Sequence, residues 1–360
     1  MQSAAISGWG KCLPPTIVTN NELATFINTS DHWITTRTGI KERRYAHTDT
    51  STMATVAAQH ALACAGLDAR DIDFILVATT SPDSLIPNIA SKVQQNIGAQ
   101  CGAMDLNAAC TGFLYALGIA NAFIRSQQYK HILVIGAERL SFYLDWTRRD
   151  TAVLFGDGAG AVVVSPTDSE AGILHYSLLN DASQRHIISS EFGTQIDRFN
   201  AHFLDFHIHF EGPEIFKRAI QGMSQACHDA LQATCMTTED IHWILPHQAN
   251  LRIINTLICK LKIPLEKAIT NIHKYGNTSA ATVPIALCEA IEQEKIRPHQ
   301  TILSTAFGAG LSCAAMLIRW GERVKPIEQS TAQIEPCSYD LLNRIKNQHQ
   351  LFSAHHSKVN

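Results

Sequence analysis

The sequence predicts a duplicated α/β protein in which helices pack on parallel sheets. Three observations carry that expectation. Residues 61–79 match residues 230–248 at a constant shift of 169 positions, each reading helix, short loop with an acidic-Ile pair, then buried strand. Strands rich in Ile, Leu and Val alternate with amphipathic helices in both copies, the pattern of right-handed crossovers between parallel strands. A run of small residues then opens a helix in each copy, around Cys110 in the first and after Gly276 in the second.

Size and composition narrow the function. With 360 residues and 46% hydrophobic content the chain can bury a large core. A formal charge of −3 offers no basic field for nucleic acid or anionic lipid, so neither partner is expected. No basic segment followed by an apolar one opens the chain, and no apolar run reaches membrane-spanning length, which predicts a cytoplasmic protein. The ten cysteines are scattered without a C-x-x-C pair, so neither a zinc site nor a disulfide framework is expected.

Taken in order, the first copy holds the reactive candidate. Ala108 and Ala109 leave no bulk beside Cys110, and Phe113, Leu114, Leu117, Ala120, Phe123 and Ile124 follow at helical spacing. A helix therefore starts at or beside Cys110, where unpaired N–H groups and the positive dipole end favour thiolate, the nucleophilic form. The plainer alternative is a buried structural cysteine. Carried onward, the repeat sets Cys110 against Ser279 and the strand at 131–137 against 300–306. The shift then becomes 152, matching 155–161 to 307–313, because the first copy carries extra residues around 138–150. Residues 151–165 read as two strands around a Gly-rich reversal, an antiparallel hairpin closing the sheet, and fit neither dinucleotide nor P-loop pattern. The expected division is one half at 1–170 with the cysteine, a second at 171–320, and an appended polar tail at 321–360 with a weak helix at 339–345.

In an open α/β sheet, ligands gather beyond the carboxyl ends of the strands. Two facing copies bring those ends together, placing Cys110 near His247, Asn277 and the turn from Phe307 to Gly310. His247 stands where the counterpart strand has the methyl of Ala78, although a lone histidine is more often a surface or capped core residue. Asn277 serves a helix cap equally well. A neutral imidazole and a carboxamide side by side could instead donate two hydrogen bonds to one carbonyl oxygen and hold an enolate as it forms.

Four motifs make the pattern specific: Ala108-Ala109-Cys110-Thr111-Gly112-Phe113, Gly156-Asp157-Gly158-Ala159-Gly160-Ala161, Pro246-His247-Gln248-Ala249-Asn250-Leu251-Arg252 and Gly276-Asn277-Thr278-Ser279. Together they resemble the β-ketoacyl-acyl-carrier-protein synthase III family of the thiolase superfamily, over roughly residues 1 to 320. The resemblance implies a thiolase-like duplicated five-layer α-β-α-β-α fold, a homodimer, and a two-stage reaction of fatty acid biosynthesis needing no metal or redox cofactor. Cys110 takes an acyl group from acyl-CoA, with the oxyanion held by backbone N–H groups of Cys110 and of Gly308 and Ala309. Malonyl-acyl-carrier protein then loses carbon dioxide, His247 and Asn277 stabilise the enolate, and that carbanion attacks the acyl-enzyme. The resemblance also places Trp33 on the adenine of CoA and Arg37 on its phosphate. Arg149, with Arg148 competing for the same role, Asn250 and Arg252 join them, and Lys217, Arg252 and Lys260 dock the carrier protein.

Departures from the family bear on substrate. Ile86 stands where many relatives place an aromatic that reaches into the partner's acyl pocket, and Phe307 is the second acyl-pocket candidate. Ala309 replaces a glycine, and Pro213 an amide-bearing residue. The 183–210 segment, with His202, His207 and His209, fits an exposed strand edge or, less simply, a metal site. Rival readings are a papain-like protease, whose cysteine context is absent, a type III polyketide synthase, and a thiolase, which needs a second catalytic cysteine. Within the family, a condensing enzyme of specialised metabolism or an acyl-shuttling partner subunit remains as the alternative.

Overall fold

Each copy of the repeat builds one mixed sheet, and a pair of helices separates the two sheets. The computed structural model of the chain describes residues 3–359 except 191, 192, 195, 197, 198 and 200. The first half runs β1 (Ser3–Cys12), β2 (Thr16–Thr19), α1 (Asn20–Leu23), α2 (Asp31–Thr38), β3 (Glu42–Tyr45), α3 (Thr50–Ala65), β4 (Phe74–Ala78), α4 (Ile89–Ile97), β5 (Gly102–Leu106), α5 (Gly112–Arg125), β6 (Ile132–Arg139), α6 (Arg149–Ala152) and β7 (Asp157–Thr167). The second runs β8 (Gly172–Asn180), β9 (Ile188–Ser189), β10 (His209–Phe210), α7 (Gly212–Ala233), β11 (Trp243–Pro246), α8 (Leu251–Leu261), α9 (Ile272–Tyr275), α10 (Thr282–Glu292), β12 (Thr301–Gly308) and β13 (Ser312–Arg319), and α11 (Leu341–Val359) follows.

The first sheet has the order β1-β7-β6-β4-β5 and the second β11-β12-β13-β8. Strands β4, β5 and β6 are parallel, as are β11 and β12, while β7 and β13 pair antiparallel with their neighbours. Burial on both faces explains the unbroken apolar runs. In β6, Ile132 and Val134 face the central layer with α5 and α10, whereas Leu133, Ile135 and Ala137 face α3 and α4. Helices α7 and α8 cover the outer face of the second sheet through Ile215, Met223, Ile254 and Leu257. The result is helix, sheet, helix, sheet, helix, the five layers expected. The acidic-Ile signal of the repeat proves to be a cap. Asp71 accepts from the backbone N–H of Asp68, and Asp240 does the same for Thr237, ending both loops alike.

Four expectations need correction. Residues 151–165 are not a hairpin: α6 ends at Ala152 and a single strand, β7, starts at Asp157 and pairs with β1 and β6. The repeat gains one residue before the central helices. Short turns at Ala109–Thr111 and Ser279–Ala281 open α5 and α10, with Ala109 and Ser279 both left-handed at φ 46 and 48, so Cys110 corresponds to Ala280. At the sheet edge, Arg139 pairs with Asp157 and Gly308 with Ser312, so Phe307 corresponds to Glu138 and not to Phe155. Finally, the tail helix runs the full length of α11. Gln348 and His349 interrupt its apolar face, yet Gln348 accepts a bond from Trp146 Nε1 at 3.1 Å and the His349 ring packs on Phe26. Leu341, Ile345 and Phe352 on that face are buried beside Tyr45 and Trp146.

Candidate active site

The site is assembled on one turn of the second half. Asn277 is held by its backbone: its N–H donates to Leu154 O at 2.9 Å, and Gly156 N–H donates to Asn277 O at 3.0 Å. That pairing joins the halves and requires glycine at 156, where a Cβ would stand 2.4 Å from Tyr275 O. The carboxamide oxygen of Asn277 accepts from Ser279 N–H at 2.8 Å. This cap-like bond fixes the amide orientation and turns Nδ2, with its two hydrogens, away from the turn.

His247 directly follows β11 and is 4% exposed. Its Nδ1 lies 2.6 Å from Thr282 Oγ1, which also lies 3.0 Å from Ser279 O. When the threonine hydroxyl donates to that carbonyl it accepts from Nδ1–H, and Nε2 carries a lone pair. When it turns to Nδ1, Nε2 carries the hydrogen, and Ser279 O still keeps the backbone N–H of Thr282. Burial lowers the imidazole to about 3, so it works as a neutral ring.

Cys110 sits on the short turn before α5. The turn of Ser279 packs against it, and the Ser279 backbone serves both Asn277 and Thr282. The residue keeps a partial opening to solvent, yet burial of the sulfur pushes the thiol up to about 12. This reverses the expectation of a resting thiolate. The Ser279 hydroxyl and the backbone N–H of Cys110 itself favour ionisation, but desolvation outweighs them and the Glu138 carboxyl adds to it. On the other side of the turn, the Gly308 backbone approaches so closely that a Cβ there would lie 2.8 Å from Cys110 N. Thr111 Oγ1 donates to Ser312 Oγ at 2.8 Å and clamps the two turns together. The Cys110 backbone nitrogen thus lies against the tip of β12.

The nucleotide-end candidates also meet. The Arg149 guanidinium lies 4.3 Å from the Trp33 ring centroid and that of Arg37 4.8 Å. Arg148 points elsewhere, its Nη1 donating to His207 Nε2 at 2.6 Å, so Arg149 is the residue that shares the Trp33 face. Asn250 caps α8 through Arg252 N–H and donates from Nδ2 to Arg37 O at 3.0 Å, which makes it a brace for the Arg37 segment. Arg252 lies over the Phe216 ring, next to exposed Lys217, and Lys260 is exposed at the end of α8.

Two candidates lie apart. Ile86 is 88% exposed on the loop after β4. Phe307 turns to the α7 face of its sheet, where it borders a cavity of about 310 Å³ with Leu179, Gly222, Leu311 and Cys313. His202 stacks on His355 and His209 bonds Glu211; among the described residues no group of three or more metal-ligating side chains forms. The sequence reading missed Thr282 and the backbone role of Ser279.

A duplicated five-layer fold that presents a thiol, a neutral imidazole and a carboxamide around one turn defines a condensing enzyme of the thiolase superfamily. Comparison with known proteins agrees. Residues 104–182 match the family described as 3-oxoacyl-[acyl-carrier-protein (ACP)] synthase III, and residues 231–320 its C-terminal part. A beta-ketoacyl-[acyl-carrier-protein] synthase III 2 of Vibrio cholerae is 55% identical over 357 residues, 99% of either chain, tail included. The crystal structure of 3-oxoacyl-[acyl-carrier-protein] synthase III from Aquifex aeolicus is 44% identical at a TM-score of 0.84, covering 88% of this chain and all of that one. Its counterpart from Pseudomonas aeruginosa is 34% identical at a TM-score of 0.84, over 89% of this chain and 99% of that one. The chain belongs to the β-ketoacyl-acyl-carrier-protein synthase III family. Among the described residues no helix is long and apolar enough to cross a membrane.

Proposed function

We propose that the chain condenses an acyl group from acyl-CoA with malonyl-acyl-carrier protein, releasing carbon dioxide and a β-ketoacyl product two carbons longer. The observation that carries this reading is the bonded path from His247 through Thr282 to the Ser279 carbonyl, with Asn277 on the same turn and that turn packed against the one carrying Cys110. In the first stage Cys110 Sγ attacks the thioester carbonyl while its proton passes to His247 Nε2. The oxyanion lies between the N–H groups of Cys110 and the Gly308-Ala309 turn, and the departing CoA sulfur takes the proton. A neutral thiol and a neutral imidazole are the correct starting pair, because the proton moves only as the new bond forms. In the second stage Asn277 Nδ2–H and His247 Nε2–H hold the enolate oxygen as carbon dioxide leaves. The carbanion then attacks the acyl-thioester and expels the Cys110 sulfur, which regains a proton from solvent.

Trp33, Arg37 and Arg149 would take the nucleotide end of CoA, and Lys217, Arg252 and Lys260 the acidic carrier protein. Ile86, exposed here, would serve the acyl pocket of a second copy in a homodimer. Residues 1–170 and 171–320 would act as the two catalytic halves of a cytoplasmic enzyme, with 321–360 bracing the first. Intact-mass measurement after mixing with acyl-CoAs tests the reading. An acyl adduct that vanishes in Cys110→Ala, followed by product on adding malonyl-carrier protein, supports it; an adduct that survives the substitution rejects it.

A further inference from the structure

Helix α11 makes two kinds of contact with the first half. Leu341, Ile345 and Phe352 supply the apolar one, beside Tyr45 and Trp146. Its polar side chains converge on one short stretch of chain. Gln348 Oε1 accepts from Trp146 Nε1 at 3.1 Å, His356 Nε2 lies 3.5 Å from Asp145 Oδ2, and His356 Nδ1 lies 3.4 Å from Thr147 Oγ1. Residues 145, 146 and 147 are thus all met by α11, immediately before Arg148 and Arg149. Asp145 builds the turn there: its Oδ1 accepts from Thr147 N–H at 2.9 Å and from Thr147 Oγ1 at 2.7 Å, and its carbonyl accepts from Arg148 N–H at 3.0 Å. The Asp145 side chain is buried, so what fixes it fixes the turn.

A second tie reaches the same turn from the other side. His355 Nε2 donates to Asp205 Oδ1 at 2.6 Å, and its ring stacks on His202 with centroids 4.5 Å apart. The Asp205 carbonyl accepts from His207 Nδ1 at 3.0 Å, which leaves His207 Nε2 to accept from Arg148 Nη1 at 2.6 Å. Arg148 is thereby kept off the Trp33 face. Arg149 occupies that face, and its Nη1 donates to Asn28 O at 3.1 Å. The segment leading to α11 is itself pinned. Ile327 N–H donates to Cys64 O and Glu328 N–H to Ala63 O, both at 3.1 Å, and His60 Nε2 donates to Ala332 O at 2.9 Å. The tail is a strap tethered before its helix begins.

We propose that α11 is a positioning element for the nucleotide end of CoA: Gln348 and His356 fix the turn at 145–148, His355 retains Arg148 through Asp205 and His207, and Arg149 is held on the Trp33 ring. The proposal rests on the acyl-CoA reading. It adds that the tail sets the preference for CoA over a thioester that ends at pantetheine. A guanidinium already held in place binds phosphate without first losing the freedom of a mobile side chain, so the tail acts by pre-organisation. Burial of the helix uses only its apolar face and does not require polar contacts on three consecutive turn residues.

The test compares acyl-adduct formation from butyryl-CoA with that from butyryl-pantetheine, the same acyl group without the nucleotide, using the octanoyl pair where butyryl does not react. The double variant Gln348→Ala/His356→Ala keeps Leu341, Ile345 and Phe352, and with them the apolar contact. It is expected to acylate about three- to fivefold more slowly from subsaturating butyryl-CoA, the cost of re-ordering one long side chain, and at the wild-type rate from butyryl-pantetheine. A merely structural helix would slow both thioesters alike or neither, and either result overturns the proposal. The signature is non-additivity: in an Arg149→Ala background the same two substitutions should cost no further rate with butyryl-CoA, because the tail acts through Arg149. Additive losses overturn it. If the double variant does not fold, His356→Ala alone is read by the same comparison. Acylation of the wild-type protein separates the two readings. With no adduct from either thioester the functional reading falls; with an adduct, and an unchanged preference for CoA in the variant, only this proposal falls.

Discussion

Replacing Gly308 by Ala probes the assembled site with a single methyl group. Gly308 closes β12, its φ lies outside the left-handed region, and alanine can adopt its backbone. What alanine cannot do is keep the present contacts. Its Cβ would stand 2.8 Å from Cys110 N and 3.2 Å from both Thr111 N and Ser312 Oγ, short of ordinary contact by about half an ångström at the nearest atom. The turn carrying Cys110 must therefore back away from the strand tip or tilt, and either motion misaims the N–H groups proposed to hold the oxyanion. A misplacement of that order, with one donor weakened, costs roughly 10- to 100-fold in the acylation rate. Stability should change far less. Overpacking costs about 1–3 kcal/mol, and the lower entropy of an unfolded chain with alanine returns about 0.4–1 kcal/mol. The assay is acyl-adduct formation by intact mass in a rapid-quench series, beside a thermal melt of the same sample. A folded variant that acylates at the wild-type rate would refute the placement of Gly308 against the nucleophile.

Other expectations follow from the same coordinates. His247 is depressed to about 3 from an ordinary value near 6.5, so its stabilising contribution is complete above about pH 6.5 and is lost as pH falls toward 3; chemical denaturation of His247→Gln should show a flatter dependence than wild type across that window. Arg149→Ala should raise the KM for acyl-CoA about fivefold with little change in kcat, while Arg148→Ala should spare it, because of these two arginines Arg149 lies on the Trp33 ring and Arg148 bonds His207. Phe352→Ala should cost about 3 kcal/mol in urea denaturation if α11 is part of the folded core, since its ring is buried in the cluster with Trp146 and Tyr45.

Much of this architecture can be read from residue types, because the repeat repeats chemistry as well as pattern. The strands announce burial on both faces, the acidic-Ile signals are caps, and Cys110, His247 and Asn277 sit where strand ends converge. What stays hidden is whatever depends on backbone conformation without a residue-type signature. Ala109 and Ser279 are left-handed without being glycine, a conformation costing about 1–3 kcal/mol that surrounding structure must impose. Counting residues therefore aligns Cys110 with Ser279, when the turns align Ala109 with Ser279. The error conceals the most useful feature of the site. The two residues are not alternatives at one position but lie on neighbouring turns across the contact between copies, with Ser279 one place earlier in its own turn. The same holds for Glu138 and Phe307, which occupy matching strand ends. One copy places a buried carboxyl there, bonded to Ser81 and Thr80, and the other a ring on the outer face of its sheet. The duplication supplies two equivalent turns and two equivalent strand tips. Their chemical asymmetry, thiol against methyl and carboxyl against phenyl, leaves a symmetric scaffold with one candidate nucleophile.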